Sequence, residues 1–300
     1  MLSPIHLLPR PTSMSGCVTP LRSVLLAVTF LLLAACSRLD LAYRNLDLVI
    51  PWWISTYVSL DDTQKAWLEP RLQKHLAWHC RTQLPEYVAW LEQLVQLSQR
   101  PKLTATDVQG QFVQVRDAAR DIAVEITPTA IGVAQNLYPQ QMGELYVSMD
   151  ERNVELREEH VAPPLRDQVA ARSERMRERV EEWMGPLRPS QQARIDTWAK
   201  DQGDYNRIWA DNRENWQKEL RSALYSRHNA DFPARLTALL QEPETFWTAK
   251  YRKAYPAAED ALARLLTDLF NSADEGQRNA LRQHIGEMIA DLKGLECFPR

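Results

Sequence analysis

The amino-acid sequence predicts an all-α protein, an elongated bundle or array of long antiparallel helices. Three observations lead there. Apolar residues recur three and four apart along almost the whole chain, which is the helical period. Alternation of the strand type is absent over any useful length. Only 9 of the 300 residues are Gly, and Pro falls where helices would begin, bend or stop.

The elements follow in order. Residues 41–58 are an apolar, aromatic opening segment in which Pro51 starts or kinks a helix. Trp52 and Trp53 keep company with Leu46, Val49 and Ile50, so they are expected to cap the bundle; the membrane surface is the other place for them. Asp61 or Asp62 caps the next helix, which puts Leu68, Leu72, His75 and His79 on one stripe. Pro85 opens a helix carrying Tyr87, Trp90, Leu91 and Leu94. Residues 104–126 are amphipathic, and Pro128 ends or bends that run.

Residues 141–160 align Met142, Leu145, Met149, Leu156 and His160, before a break at Pro163-Pro164. Leu165, Val169, Met176, Val180 and Trp183 continue the pattern until Gly185-Pro186 stops it. After Pro189-Ser190, residues Ile195, Trp198, Gln202, Tyr205, Trp209, Asn212 and Trp216 form a heptad-like seam. At 1.5 Å per residue it would run about 30 Å. Asp231, Thr245 and Ser272 precede three further helices, rich in Leu. The breaks near 163–164 and 185–190 are where two halves would separate, but neither has linker composition.

The N-terminus carries an address. Residues 1–23 contain Arg10 and Arg22 and no acid, and the apolar run Val24–Leu33 follows. That run is shorter than the roughly 20 residues of a membrane span and suits the h-region of a secretion signal. It ends in Leu33-Ala34-Ala35-Cys36, which resembles the lipobox of bacterial lipoproteins. The resemblance implies cleavage before Cys36, acylation of Cys36 (palmitate-type chains) and a membrane anchor. Residues 1–35 are then the signal peptide and 36–300 one periplasmic helical domain. Met14 would give a more compact signal and is an alternative start. The residue after Cys36 is Ser37, not Asp, which by the enterobacterial sorting rule implies the outer membrane, periplasmic side. More than two acyl chains give stable anchoring.

Cysteine usage agrees with an oxidising compartment. Cys17 leaves with the signal and Cys36 is lipidated, so Cys80 and Cys297 remain as an even pair, expected to bridge. Two buried thiols are the alternative. No CxxC is present.

The residue patterns resemble an uncharacterised family of proteobacterial helical lipoproteins, a domain of unknown function. The pieces that carry the resemblance are Tyr43-Arg44-Asn45-Leu46-Asp47, Ile50-Pro51-Trp52, Leu60-Asp61-Asp62-Thr63-Gln64, Leu76-Ala77-Trp78-His79 and Leu84-Pro85-Glu86-Tyr87. Further pieces are Glu174-Arg175-Met176, Trp183-Met184-Gly185-Pro186-Leu187, Gln191, Trp209, Asn212-Arg213 and Trp216-Gln217. The resemblance implies a fold and an envelope address, and no reaction. A second, local resemblance joins Leu60-Asp61-Asp62-Thr63-Gln64 and Leu187-Arg188-Pro189-Ser190-Gln191 to the Leu-Thr-x-x-Gln motif of small helical periplasmic stress chaperones. Thr is missing from its motif position in both, and a helix start with Gln close behind its cap explains them more simply.

Candidate chemistry is sparse. His75 and His79 stand one helical turn apart, a spacing that can chelate a metal. Leu76 occupies the place of a catalytic Glu, and a site would need a further ligand such as Glu86 or His284. Hydrogen-bonded histidines on an apolar stripe are the simpler reading. Glu155, Glu158, Glu159, Glu181 and Glu182 lie among Arg152, Arg157, Arg177 and Arg179 at helical spacing, as salt-bridged solvated faces do. Trp198, Gln202, Trp209, Asn212 and Trp216 are either a binding groove for sugars or peptides or, more simply, helix-packing residues. No GxSxG, phosphate-cradling loop or EF-hand loop is present, so no cofactor is expected. A net charge of −3 and pI near 6.1 argue against a nucleic-acid partner.

The expected function is a lipid-anchored outer-membrane lipoprotein with a binding or scaffolding role, touching the membrane through Cys36, with an envelope protein as the candidate partner. The alternatives are a chaperone-like holdase and a metal- or carboxylate-dependent envelope hydrolase.

Overall fold

The structure is a computed structural model that describes Tyr43 and residues 45–295. Residues 1–35, where the signal peptide is expected, and Cys36 and Cys297 lie outside the described residues. The fold is all-α, with no strand among the described residues. Its helices are α1 (Leu46–Ser55), α2 (Asp62–Trp78), α3 (Leu84–Ser98), α4 (Ala105–Gln135), α5 (Pro139–His160) and α6 (Leu165–Met184), followed by α7 (Pro189–Asp201), α8 (Tyr205–Tyr225), α9 (Phe232–Gln241), α10 (Ala249–Ser272) and α11 (Glu275–Gly294).

Local chemistry sets many of the starts. Asp61 accepts from the Gln64 N–H while the Gln64 side chain accepts from the Asp61 N–H, a capping box that opens α2. Thr104 and Asp107 do the same for α4, and Asp274 and Gln277 for α11. Gly185 ends α6 at φ +75°, a left-handed conformation that Gly adopts without strain.

Several expectations are corrected in detail. Pro128 does not end its helix: α4 runs on to Gln135, because packing on both flanks holds it. Pro85 does open α3, as its second residue, but no break precedes it: a π-helical turn, His79–Gln83, joins α2 directly to α3. Asp231 and Thr245 do precede α9 and α10, and Ser272, the last residue of α10, precedes α11; the side chains that cap α10 and α11 are those of Thr248 and Asp274, and Thr245 lies in a short 3-10 turn, Pro243–Phe246. The seam around the tryptophans is not one helix, since α7 ends at Asp201 and Gly203 turns the chain at φ +50°. Trp52 and Trp53 do not cap the bundle: they are 66% and 55% exposed on the outer side of α1.

Three apolar clusters hold the array together. Val58, Leu137, Met142, Leu224, Phe232, Leu236 and Leu239 form one, joining the α4–α5 corner to α8 and α9. Leu84, Val88, Leu91, Ile285, Leu292 and Leu295 form a second between α3 and α11. Val180, Met184, Leu187, Ile195, Leu265 and Leu269 form a third, where α6, α7 and α10 meet. Trp183 packs against both the second and the third, so it couples the two.

The helix starts are also tied in pairs. Gln64 and Gln141 exchange side-chain amide hydrogen bonds at 2.9 and 2.7 Å. Gln191 and Gln277 do so at 3.0 Å each way. All four glutamines also accept from the N–H of their own helix's N-cap residue. The same lock occurs once in each half of the chain.

Candidate functional site

Helix α4 is about 45 Å long at 1.5 Å per residue and forms one wall of the site. The broken helix α2–α3 runs antiparallel to it. Gln64 donates to the carbonyl of Asn136, the Trp67 indole covers Gly132, and His75 meets Glu125 and Thr129. At the far end Trp90 Nε1 donates to Gln111 Oε1 at 2.9 Å. Between the His75 and Trp90 contacts lies the π turn. A π turn lets the chain step sideways within a helix, and such turns gather at functional sites.

The two walls stand apart beyond that turn and leave an open cleft of about 360 Å³. Glu86, Tyr87 and Trp90 line it from α3; Val115, Asp117, Asp121 and Ile122 are among the residues that line it from α4. Its floor is apolar and aromatic, and its rim is acidic. Glu86, Asp117 and Asp121 make no ion pair among the described residues. The arginines beside them on α4 are spent elsewhere: Arg116 pairs with Glu259 of α10, and Arg120 with Glu244. The Tyr87 hydroxyl has its pKa raised, first by burial and then by the charges of Glu86 and Asp121.

The inner end of the cleft is an aromatic cluster. His79 contacts Tyr87 edge-on at 5.5 Å and lies 5.9 Å from Tyr43 between ring centres. Tyr43 Oη is 3.2 Å from His79 Nδ1. Gln83, which closes the π turn, is buried, and its Oε1 has no hydrogen-bond partner among the described residues.

Residues 56–252, most of the chain, match the model of a family described as of unknown function, DUF6279. The chain belongs to DUF6279. No curated protein and no solved structure matches it. In this DUF6279 chain the matched stretch contains the α3 and α4 walls of the cleft and the Gln64–Gln141 lock, whereas Tyr43 precedes it and Gln277 and α11 lie beyond it.

The residues singled out in the sequence fall in separate places. His75 has both ring nitrogens engaged, Nδ1 at 2.9 Å from Glu125 Oε1 and Nε2 at 2.7 Å from Thr129 Oγ1. This hydroxyl–imidazole–carboxylate chain forms a polar seam between α2 and α4. Thr129 lies inside α4, where the surrounding backbone N–H groups serve the helix. His79 looks the other way, into the aromatic cluster. No group of three or more His, Cys, Asp or Glu able to hold a metal occurs among the described residues. His284 packs at a tilt against Trp183 with ring centres 4.4 Å apart, while Glu86 lines the cleft.

The tryptophan stripe is divided among different surroundings. Trp198 packs on the third cluster, Trp216 on the first with its Nε1 donating to the Leu239 carbonyl, and Trp209 stands at the surface. Asn212 accepts from the Thr248 N–H, and Gln202 closes α7. Among the charged helices, Arg157 reaches from α5 to Asp211 and Glu214 of α8, while Glu181 accepts from the Leu187 N–H. The cleft itself escaped the sequence reading. Its signal, Asp117 and Asp121 one turn apart with Ile122 beside them, is that of any solvated helix face.

Proposed function

We propose that this chain is a lipid-anchored outer-membrane lipoprotein, facing the periplasm, that binds an envelope partner rather than carrying out a reaction. The lipobox-like Leu33-Ala34-Ala35-Cys36 followed by Ser37 supports the address. The single observation that carries the binding role is the cleft between α3 and α4, with an aromatic floor and three carboxylates left without ion-pair partners among the described residues. That chemistry suits a Lys or Arg side chain on an extended segment, whose methylenes lie on Trp90 and Tyr87 while its charge meets the acidic rim. The glutamine boxes open helices and tie them in pairs, which accounts for their pattern without a chaperone role.

The test is photo-crosslinking in cells from a benzophenone amino acid placed at Val115, in the cleft wall, with Lys200 on α7 as the control. One or two recurrent envelope proteins captured only from Val115 support the reading. A broad set of partly folded proteins favours a holdase, and equal capture from both positions defeats the cleft as the binding place.

We also infer that Cys80 and Cys297 are joined by a disulfide. Leu295, two residues before Cys297, is buried in the cluster that contains Leu84, four residues after Cys80. In the chain-entropy model a loop of this length contributes about 5 kcal/mol. Peptide mapping under non-reducing conditions would show the linked pair, and reduction would lower the melting temperature; two free thiols in oxidised protein would refute it.

A further inference from the structure

Helix α1 carries an apolar face that none of the described residues covers. Its sequence, Leu46–Ser55, holds one charged residue, Asp47. Ile54 turns inward and packs on the first cluster. Leu48, Val49, Trp52 and Trp53 sit at i, i+1, i+4 and i+5, one stripe of the helix, and are 46–67% exposed. Two adjacent indoles and two aliphatic side chains held in water in this way mark an interaction surface. Behind them the seat on α2 is loose, a hollow of about 300 Å³ between Pro51, Ile54, Leu68 and Leu72.

The distance to Cys36 identifies the occupant. Leu46 follows Cys36 by ten residues. At full extension these span at most ~35 Å, so α1 stays within that reach of the surface that holds the acyl chains. Tryptophan favours the headgroup level of a bilayer, where the ring is buried and the N–H stays wet. No helix among the described residues is long and apolar enough to cross a membrane, and α1, at about 15 Å, would lie along one. We propose that α1 is a second membrane contact, lying in the interface of the anchoring bilayer with Trp52 and Trp53 among the headgroups. This rests on the lipid-anchored reading, and adds that the domain is held in one orientation, α1 down, rather than swinging on a tether.

The test uses full-length processed protein reconstituted into phosphatidylethanolamine–phosphatidylglycerol vesicles, with and without lipids brominated near the headgroup end of the acyl chains. Tryptophan emission of the native protein is expected to fall in the brominated vesicles. The quenched fraction is expected to drop at least threefold in Trp52→Ser/Trp53→Ser, and partially in Trp52→Ser alone, with thermal melting unchanged because both side chains are exposed. Equal quenching in native and variant proteins overturns the proposal. So does absent quenching in the native protein, including the case where two copies cover each other's α1 faces. The mass of the N-terminal peptide separates this from the anchoring reading. Acylated Cys36 without quenching sinks α1 alone, whereas quenching without acylation sinks the anchor and leaves α1 as a membrane contact.

Discussion

Gln191 and Gln277 exchange two amide hydrogen bonds at 3.0 Å, and both side chains are buried, 1% and 5% exposed. Gln277 spends its other proton on the carbonyl of Pro186, two residues before the N-cap of α7. In the other half, Gln141 spends its own on the carbonyl of Ser59, two residues before the N-cap of α2. Gln64 and Gln191 complete the symmetry through Asn136 O and Ser272 Oγ, each two residues before the partner's cap. The amides thus fix the start of one helix against the start of another. A buried amide that loses its partner costs its desolvation, about 1–3 kcal/mol. Gln191→Leu and Gln277→Leu are each expected to destabilise by that amount in urea unfolding, and the double variant by less than the sum. Simple additivity would mean that the pair is not one unit.

That lock shows how far the sequence could be read. Leu60-Asp61-Asp62-Thr63-Gln64 and Leu187-Arg188-Pro189-Ser190-Gln191 stand out as helix starts, and both are. Their partners, Tyr138–Gln141 and Asp274–Gln277, use other cap residues, and no local rule says that one Gln meets another 77 or 86 positions away. All-α character and most helix limits are local properties of period, Pro and Gly. The π turn is invisible at that level, because one inserted residue barely disturbs the spacing around His79. The cleft depends on that turn, so it was invisible too.

At Gly132 the Trp67 indole of α2 lies close against the backbone of α4. A Cβ at residue 132 would overlap the six-membered ring of the Trp67 indole. Gly132→Ala is therefore expected to lose about 1–3 kcal/mol through overpacking, despite the better helix propensity of Ala. Trp67→Phe removes the overlapping ring atoms, so Gly132→Ala/Trp67→Phe should be less destabilised than the sum of its parts. Chemical denaturation of the four proteins decides it, and a Gly132→Ala protein as stable as the native one would contradict the geometry.

Arg172 holds the α7–α8 turn from α6. Its buried guanidinium donates to the carbonyls of Ala199 at 2.7 Å and Gly203 at 3.3 Å, and to Asn206 Oδ1 at 3.0 Å. These are among the carbonyls left over where α7 ends, so the side chain acts as a cap from outside. Lys cannot span the three acceptors. Arg172→Lys is expected to cost about 1–3 kcal/mol. Hydrogen exchange should also quicken at Gln202–Asn206 more than elsewhere. A uniform change along the chain would show that Arg172 supports the core and not the turn.

His79 gives the fold a sensitivity to acid. It is half-buried among Tyr43, Trp78 and Tyr87, and burial holds its pKa below the ordinary imidazole value. The folded state therefore resists protonation that the unfolded chain accepts. Above the unfolded pKa, about 6.5, both states are neutral and His79 has no effect on stability. As pH falls below that value the unfolded chain gains a proton first, and stability drops until the folded pKa is passed. Replacing His79 by Gln should leave a protein whose melting temperature declines less between pH 7 and pH 5 than that of the native chain. Parallel native and His79→Gln curves would mean that the aromatic cluster at the inner end of the cleft opens enough to hydrate the charged ring.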